Sequence, residues 1–290
     1  MESRGGDRVS GETVRRSVVL AGGGVVGTAW MAGLAAELRR RGIDLGAAES
    51  IVGTSAGAII GAALVVGRDL DSFADDPRPP GYSEPPAVVK REAVGAAFAI
   101  MADRTMDPDA RRRKMGRMAM AEEPAQPSDI AELEWLVDGN EWPDHRLRVV
   151  VVDAESGERL VWDNGSGVPL ARAIAASRAF PGLQRPVVVE GRYYIDGGVW
   201  SATNADLAVA SNILLVVEPL AFRIPPEQLQ AELATTSADR VVHFHPDAAT
   251  ADVFTSFAAN PDPLASWPHA FRGGVRQGED LAKQLIDAGW

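Results

Sequence analysis

Apolar and polar positions along this chain fall into blocks that recur in one order: a short β-branched run, a glycine turn, then a longer stretch with helical spacing. Ser17–Leu20 (SVVL) runs into Gly22-Gly23-Gly24, and a helix follows to about Arg41. Arg39, Arg40 and Arg41 suit the negative end of a helix, and Gly42 supplies a left-handed stop. The unit repeats in IVGTSAGAIIGAAL, residues 51–64, where a second strand turns through Gly53-Thr54-Ser55-Ala56-Gly57 into a helix closing near Gly67. After residue 146 the pattern returns. LRVVVVDAESGERLVW reads as a hairpin turning at Glu155-Ser156-Gly157, and VPLARAIAASRAF as a helix stopped before Pro181-Gly182. RPVVVEGRYYIDGG reads as a second hairpin ending at Asp196, and NILLVVEPL and RVVHFHP as two more buried strands. Strands apolar on both faces and separated by helices predict an α/β protein with a parallel, sandwiched sheet.

Residues 68–143 interrupt this rhythm. They open with the proline-rich DDPRPPGYSEPP and continue through helical, Met- and Arg-bearing sequence with few strand signals. A helical cap inserted in the core domain is the simpler expectation, since ~75 residues are few for an independent core. Residues 1–16 are polar and glycine-bearing and read as a disordered arm, not a secretory signal, leaving 17–290 as one domain. No apolar run approaches the ~20 residues that span a bilayer, so the expected location is cytoplasmic, with a lipid surface as a possible workplace.

Composition narrows the chemistry. A net charge of -11 argues against general nucleic-acid binding, which needs clustered cations. With no cysteine, disulfides, thiol catalysis and Cys-ligated metals are excluded. The one strongly basic stretch is RRRKMGRMAM, residues 111–120. On a helix it would either lie on anionic lipid or be a solvated cap helix with its methionines in a core seam.

The strand–turn–helix at Ser55 has two readings: a small-residue turn, or a nucleophile held on a sharp elbow with helix N–H groups beneath it. The block Gly22-Gly23-Gly24-Val25-Val26-Gly27 has three. A Walker loop needs Lys before Thr, and here Gly27 precedes Thr28 directly. A dinucleotide fingerprint wants an acidic residue closing the next strand, whereas that strand closes on Gly53-Thr54-Ser55 with Asp44 in the loop before it. An oxyanion hole of consecutive N–H groups is the third. For a base, the chain offers His145, His243, His245 and His269. His243 and His245 alternate in a strand pattern and project the same way, while His145 and His269 sit beside prolines in expected loops. Asp196, at a strand end before Gly197-Gly198, can accept the serine proton directly if N–H groups orient it and burial tunes it; alone, it would read as an Asp-Gly turn. Trp200 is a core residue or an acyl-pocket wall. The carboxylates of DAESGE fall in a hairpin turn and make a poor calcium site.

Together, Gly22–Gly27, Gly53–Gly57, Asp196-Gly197-Gly198, the stretch Ala176-Ser177-Arg178-Ala179-Phe180-Pro181-Gly182, and the tail HPDAATADVF through GGVRQG resemble the patatin-like phospholipase family. The likeness spans Ser17 to near the C-terminus, with the motifs in the family's order. It implies a three-layer α/β/α fold and a Ser–Asp dyad without histidine, acting on lipid or other esters and using no cofactor or metal. Carried over by position, Ser55 is the nucleophile, Asp196 the base, and the oxyanion hole lies in Gly22, Gly23, Gly24 and Val25. Many members have Arg or Lys before the last glycine of the block, where this chain has Val26. That removes a positive charge suited to anionic head groups.

Overall fold

The computed structural model describes residues 14–75 and 91–290. The expectations for residues 1–13 of the N-terminal arm and for nearly all of the proline-rich stretch lie outside the described residues, while Arg16, expected in the arm, already belongs to the first strand. Eight strands are present among them: β1 (Arg16–Leu20), β2 (Ser50–Gly53), β3 (Leu147–Asp153), β4 (Arg159–Trp162), β5 (Val187–Val189), β6 (Arg192–Asp196), β7 (Ile213–Val217) and β8 (Arg240–Phe244). The helices are α1 (Gly24–Arg40), α2 (Ala56–Val65), α3 (Arg91–Ala102), α4 (Pro108–Met120), α5 (Pro127–Leu136), α6 (Leu170–Ser177), α7 (Pro226–Leu233), α8 (Ala248–Ala259) and α9 (Pro263–Ala288). One sheet runs β5-β6-β3-β2-β1-β7-β8, with β4 also paired to β3. It is parallel from β3 to β8, and antiparallel in the β3–β4 and β5–β6 hairpins and between β3 and β6.

Strand β3 is the hub. Val149 is opposite Gly53 on one side and Trp162 on the other, and Val151 is opposite Asp196 and Leu160. A strand has two edges, so β4 fills one and β2 and β6 share the other, approaching from opposite ends. Their termini, Gly53 and Asp196, therefore converge beside the middle of β3.

Alternation along the strands fills both faces of the sheet. On one, Val18, Leu20, Ile51, Val149, Val151, Leu215 and Val217 pack with α1, α2, α5, α6, α8 and α9. On the other, Val19, Val52, Val150, Leu214 and Val216 meet Leu229 of α7, while Val152 and Ile195 meet Ala97 of α3 and Met115 and Ala119 of α4. The result is a three-layer α/β/α fold. Residues 68–143 feed both outer layers, with α5 on one face and α3 and α4 on the other.

The glycines of GGVRQG are in the interior of α9, where they let it lie directly on α1: a methyl on Gly274 would strike the Trp30 carbonyl, and one on Gly33 the Phe271 carbonyl. Two local expectations need correction. His269 is on the exposed side of that helix, not in a loop. Strand β8 is an edge with Arg240, Val241 and His243 exposed, whereas the sequence suggests a buried strand. Among the described residues no helix is long and apolar enough to cross a membrane.

Candidate active site

Ser55 stands between β2 and α2 with φ 55° and ψ -115°, a backbone region that side chains other than glycine rarely occupy. Neighbouring contacts hold it there. Thr54 N–H donates to the Leu20 carbonyl at 3.0 Å and Gly57 N–H to the Thr54 carbonyl at 2.8 Å. Ser55 N–H donates to Ser177 Oγ at 2.9 Å. A methyl on Gly57 would collide with the Leu20 carbonyl, and one on Gly53 would lie 2.6 Å from Ala58 Cα. The glycines thus let α2 begin directly against β1 and β2, leaving Ser55 half-buried at the turn.

Asp196 closes β6 and is 3% exposed. Its N–H donates to the Ala179 carbonyl at 3.2 Å, and its Oδ1 accepts the Gly198 N–H at 2.7 Å. Burial pushes the carboxyl up to about 7, opposed by the Gly198 N–H, by a hydrogen bond from the Ser55 side chain and by the Arg178 charge. The hydroxyl and the carboxyl therefore meet at the gap between β2 and β6.

The glycine block borders the same gap. Gly22 faces Ser55: a methyl there would lie 3.7 Å from Ser55 Cβ. Its own N–H is committed to the Ala202 carbonyl at 2.9 Å, so it is not a free donor. Gly23 caps α1 with extended φ (-162°) and is backed by Pro219, and Gly24 has φ 59°. At this helix start the N–H groups of Gly23, Gly24 and Val25 have no acceptor among the described residues, as first-turn amides lack intrahelical partners. Gly27 donates to the Gly23 carbonyl at 3.0 Å and packs on Pro219.

Two residues to which the sequence attached no chemistry join these parts. Ser177 is fully buried, accepts the Ser55 N–H, and donates to the Val150 carbonyl at 2.7 Å, tying the elbow to the hub strand. Its signal was its place in the Ala-Ser-x-Ala-x-Pro stretch. Asn204, also fully buried and left-handed at φ 54°, donates from Nδ2 to Thr54 Oγ1 (3.1 Å), the Ser201 carbonyl (2.6 Å) and the Gly197 carbonyl (3.4 Å). It therefore links the residue before Ser55 to the residue after Asp196. Arg159 Nη1 donates to Asn204 Oδ1 at 3.1 Å, and its guanidinium grips Asp206 at 2.8 and 2.6 Å. Nothing short of the fold marks Asn204.

Other residues stand apart. His243 Nε2 pairs with Glu218 at 2.8 Å and His245 Nδ1 with the Pro246 carbonyl at 3.1 Å, while His145 and His269 are exposed. Trp200 carries the guanidinium groups of Arg112 (4.0 Å) and Arg159 (5.1 Å) over its ring. Asp153 accepts N–H groups from Glu155 and Ser156 and pairs with Arg192, which closes the DAESGE turn on itself. Asp44 caps a short turn ahead of β2 by accepting the Gly46 N–H. No three His, Asp or Glu side chains among the described residues converge as metal ligands.

Comparison with known proteins places these motifs. The family model described as patatin-like phospholipase matches residues 18–209. Uncharacterized NTE family proteins of Mycobacterium bovis and Mycobacterium tuberculosis are 29% identical over 218 residues, covering 71% of this chain and 51% of theirs, so the chain spans about half the length of the curated relatives it matches. The solved structure of VipD from Legionella pneumophila aligns over 94% of this chain and 67% of its own, with TM-score 0.42 and 14% identity. The type III effector ExoU aligns over 94% and 53%, with TM-score 0.40 and 15% identity. Those two likenesses are too distant to speak to activity. The family model covers Ser55, Asp196 and the glycine block together, and the chain belongs to the patatin-like phospholipase family.

Proposed function

We propose that this protein is a serine acyl hydrolase that cleaves carboxylic esters of lipids, with Ser55 as nucleophile and Asp196 as base. One observation carries the reading: the hydroxyl of a strained elbow lies beside a buried carboxyl that desolvation raises to about 7. At that value the carboxylate is basic enough to accept the serine proton and still ionised at neutral pH. As Ser55 Oγ bonds to the ester carbonyl carbon, its proton passes to Asp196. The N–H groups of Gly23, Gly24 and Val25 hold the oxyanion, and one such donor is worth roughly 3–4 kcal/mol in the transition state. Collapse of the tetrahedral adduct breaks the ester C–O bond, and the leaving alkoxide takes the proton from Asp196. Water then attacks the acyl-Ser55 ester, giving its proton to Asp196, and the acid departs as Ser55 recovers its proton. Gly22 serves by lying close to Ser55, not by donating.

Lipid esters are the favoured substrates because family membership supplies the prior, and the Arg178 charge beside Asp196 gives the site a cation that position 26 lacks. Ser55→Ala and Asp196→Asn should each abolish hydrolysis of p-nitrophenyl butyrate, and a fluorophosphonate probe should label Ser55. His243→Ala and His245→Ala should retain activity. An unlabelled Ser55 with no turnover across phospholipids, lysophospholipids and triacylglycerols would favour a silent lipid-binding protein. Activity surviving in Asp196→Asn but lost with either histidine would overturn the dyad.

A further inference from the structure

Helices α3 and α4 form a hairpin beside the site, and neither turns an ordinary face to solvent. From Ala93 to Ala102, α3 has no charged side chain. Gly95, Phe98, Ala99 and Ala102, spaced along one helical face, are all exposed, Phe98 by 55%. A surface helix usually presents polar residues there. This helix rests on the segment that supports the catalytic pair: the Phe98 ring stacks 5.2 Å from Phe180, and Gly182 fits against the Ala93–Val94 backbone. Helix α4 buries Met115, Gly116 and Ala119, and Arg112 fixes it to Trp200 and, at 3.1 Å, to the Gly157 carbonyl. The methionine seam is thus real for Met115. It leaves Arg113, Lys114 and Arg117 exposed on the outside of α4; Lys114 acts by its charge on Asp103, while Arg113 and Arg117 make no ion pair with a carboxylate among the described residues.

We propose that the outward faces of α3 and α4 are a docking surface for an anionic lipid bilayer, with Phe98 entering the acyl boundary and Arg113, Lys114 and Arg117 meeting the head groups. The proposal rests on the lipid-hydrolase reading, and it locates the substrate in a membrane. Charge complementarity selects this occupant: in a chain of net charge -11, three exposed cations together, Arg113 and Arg117 without an ion-pair partner among the described residues, are the local exception. Over a Debye length of about 8 Å the patch outweighs the distant net charge. Apolar insertion beside surface cations is the pattern of interfacial helices.

The test is co-sedimentation of the full chain carrying Ser55→Ala with vesicles of phosphatidylglycerol and phosphatidylcholine, or of phosphatidylcholine alone. Binding should require the anionic lipid and weaken with salt. It should fall on the order of 100-fold in the Arg113→Gln/Lys114→Gln/Arg117→Gln variant, and by about 10-fold in Phe98→Ser. The same substitutions in the Ser55 protein should leave p-nitrophenyl butyrate hydrolysis unchanged, which separates docking from catalysis and checks folding. The proposal fails if vesicles do not retain the protein, if neutral vesicles bind equally, or if both variants bind like the parent. It also fails if Phe98→Ser instead abolishes self-association of the lipid-free protein, which would assign the face to a second copy. Loss of all esterase activity with docking intact would instead sink the hydrolase reading alone.

Discussion

Holding a carboxyl at about 7 against an ordinary 3.8 has consequences in two directions. For activity, the proposed mechanism, in which only ionised Asp196 accepts the serine proton, predicts that kcat/KM on a soluble ester climbs with pH, reaches half its maximum near 7 and flattens above. For stability the sign is opposite. Below pH 4 both folded and unfolded chains keep the proton; between 4 and 7 the unfolded chain releases it first, so stability falls as pH rises and levels off above 7. Asp196→Asn should therefore gain on the parent by about 4 kcal/mol between pH 4 and pH 8 in urea titrations, while being inactive throughout. Ser177→Ala leaves the Ser55 N–H and one Val150 carbonyl bond unmade in a buried place. It should lower kcat roughly 100-fold with little change in KM, as misplacement of a reacting group does. Ser55 and Asp196 could be singled out from sequence because turn chemistry is local: glycines flank Ser55 and follow Asp196. The roles of Ser177, marked only by its place in a family stretch, and of Asn204 could not, since their work is done across the chain, on carbonyls and amides that no spacing rule connects to them.

At the scale of elements, the α1–α9 pairing depends on backbones too close for side chains. Gly274→Val should destabilise the fold by at least ~3 kcal/mol in thermal or urea unfolding, because the Trp30 carbonyl cannot withdraw from its own helix. Gly95→Ala on exposed α3, where a methyl meets nothing within 4 Å, should instead be neutral or raise stability by up to ~1 kcal/mol. Helices α7, α8 and α9 were not assigned from sequence, whereas the strands and helices α1, α2 and α6 were legible from periodicity, and both hairpins from their turns. The status of β8 as an exposed edge was not, because an apolar run such as Val241-Val242 looks the same in mid-sheet and at a border. Nor was the close α1–α9 packing legible, since glycine, which weakens an isolated helix, is what such packing requires.

For the whole molecule, the insertion was legible as helical but not in its placement. Amphipathic helices declare which side is buried, not which layer receives it, and α5 and α4 end up on opposite faces of the sheet. The eight strands outside 68–143, with the helices between them, carry the α/β signal, and that is why fold class could be read before any contact was known. What could not be read is that β2 and β6 queue along one border of β3.

That shared border makes β3 a splint between two halves of a broken strand. Neither the early segment bearing Ser55 nor the late one bearing Asp196 can find its counterpart until the middle of the chain has been laid between them. Catalytic competence is then a property of the finished molecule alone. On dilution from denaturant, esterase activity should return with the slowest phase of refolding and never with the first appearance of helix, and separately expressed halves should be inert until mixed.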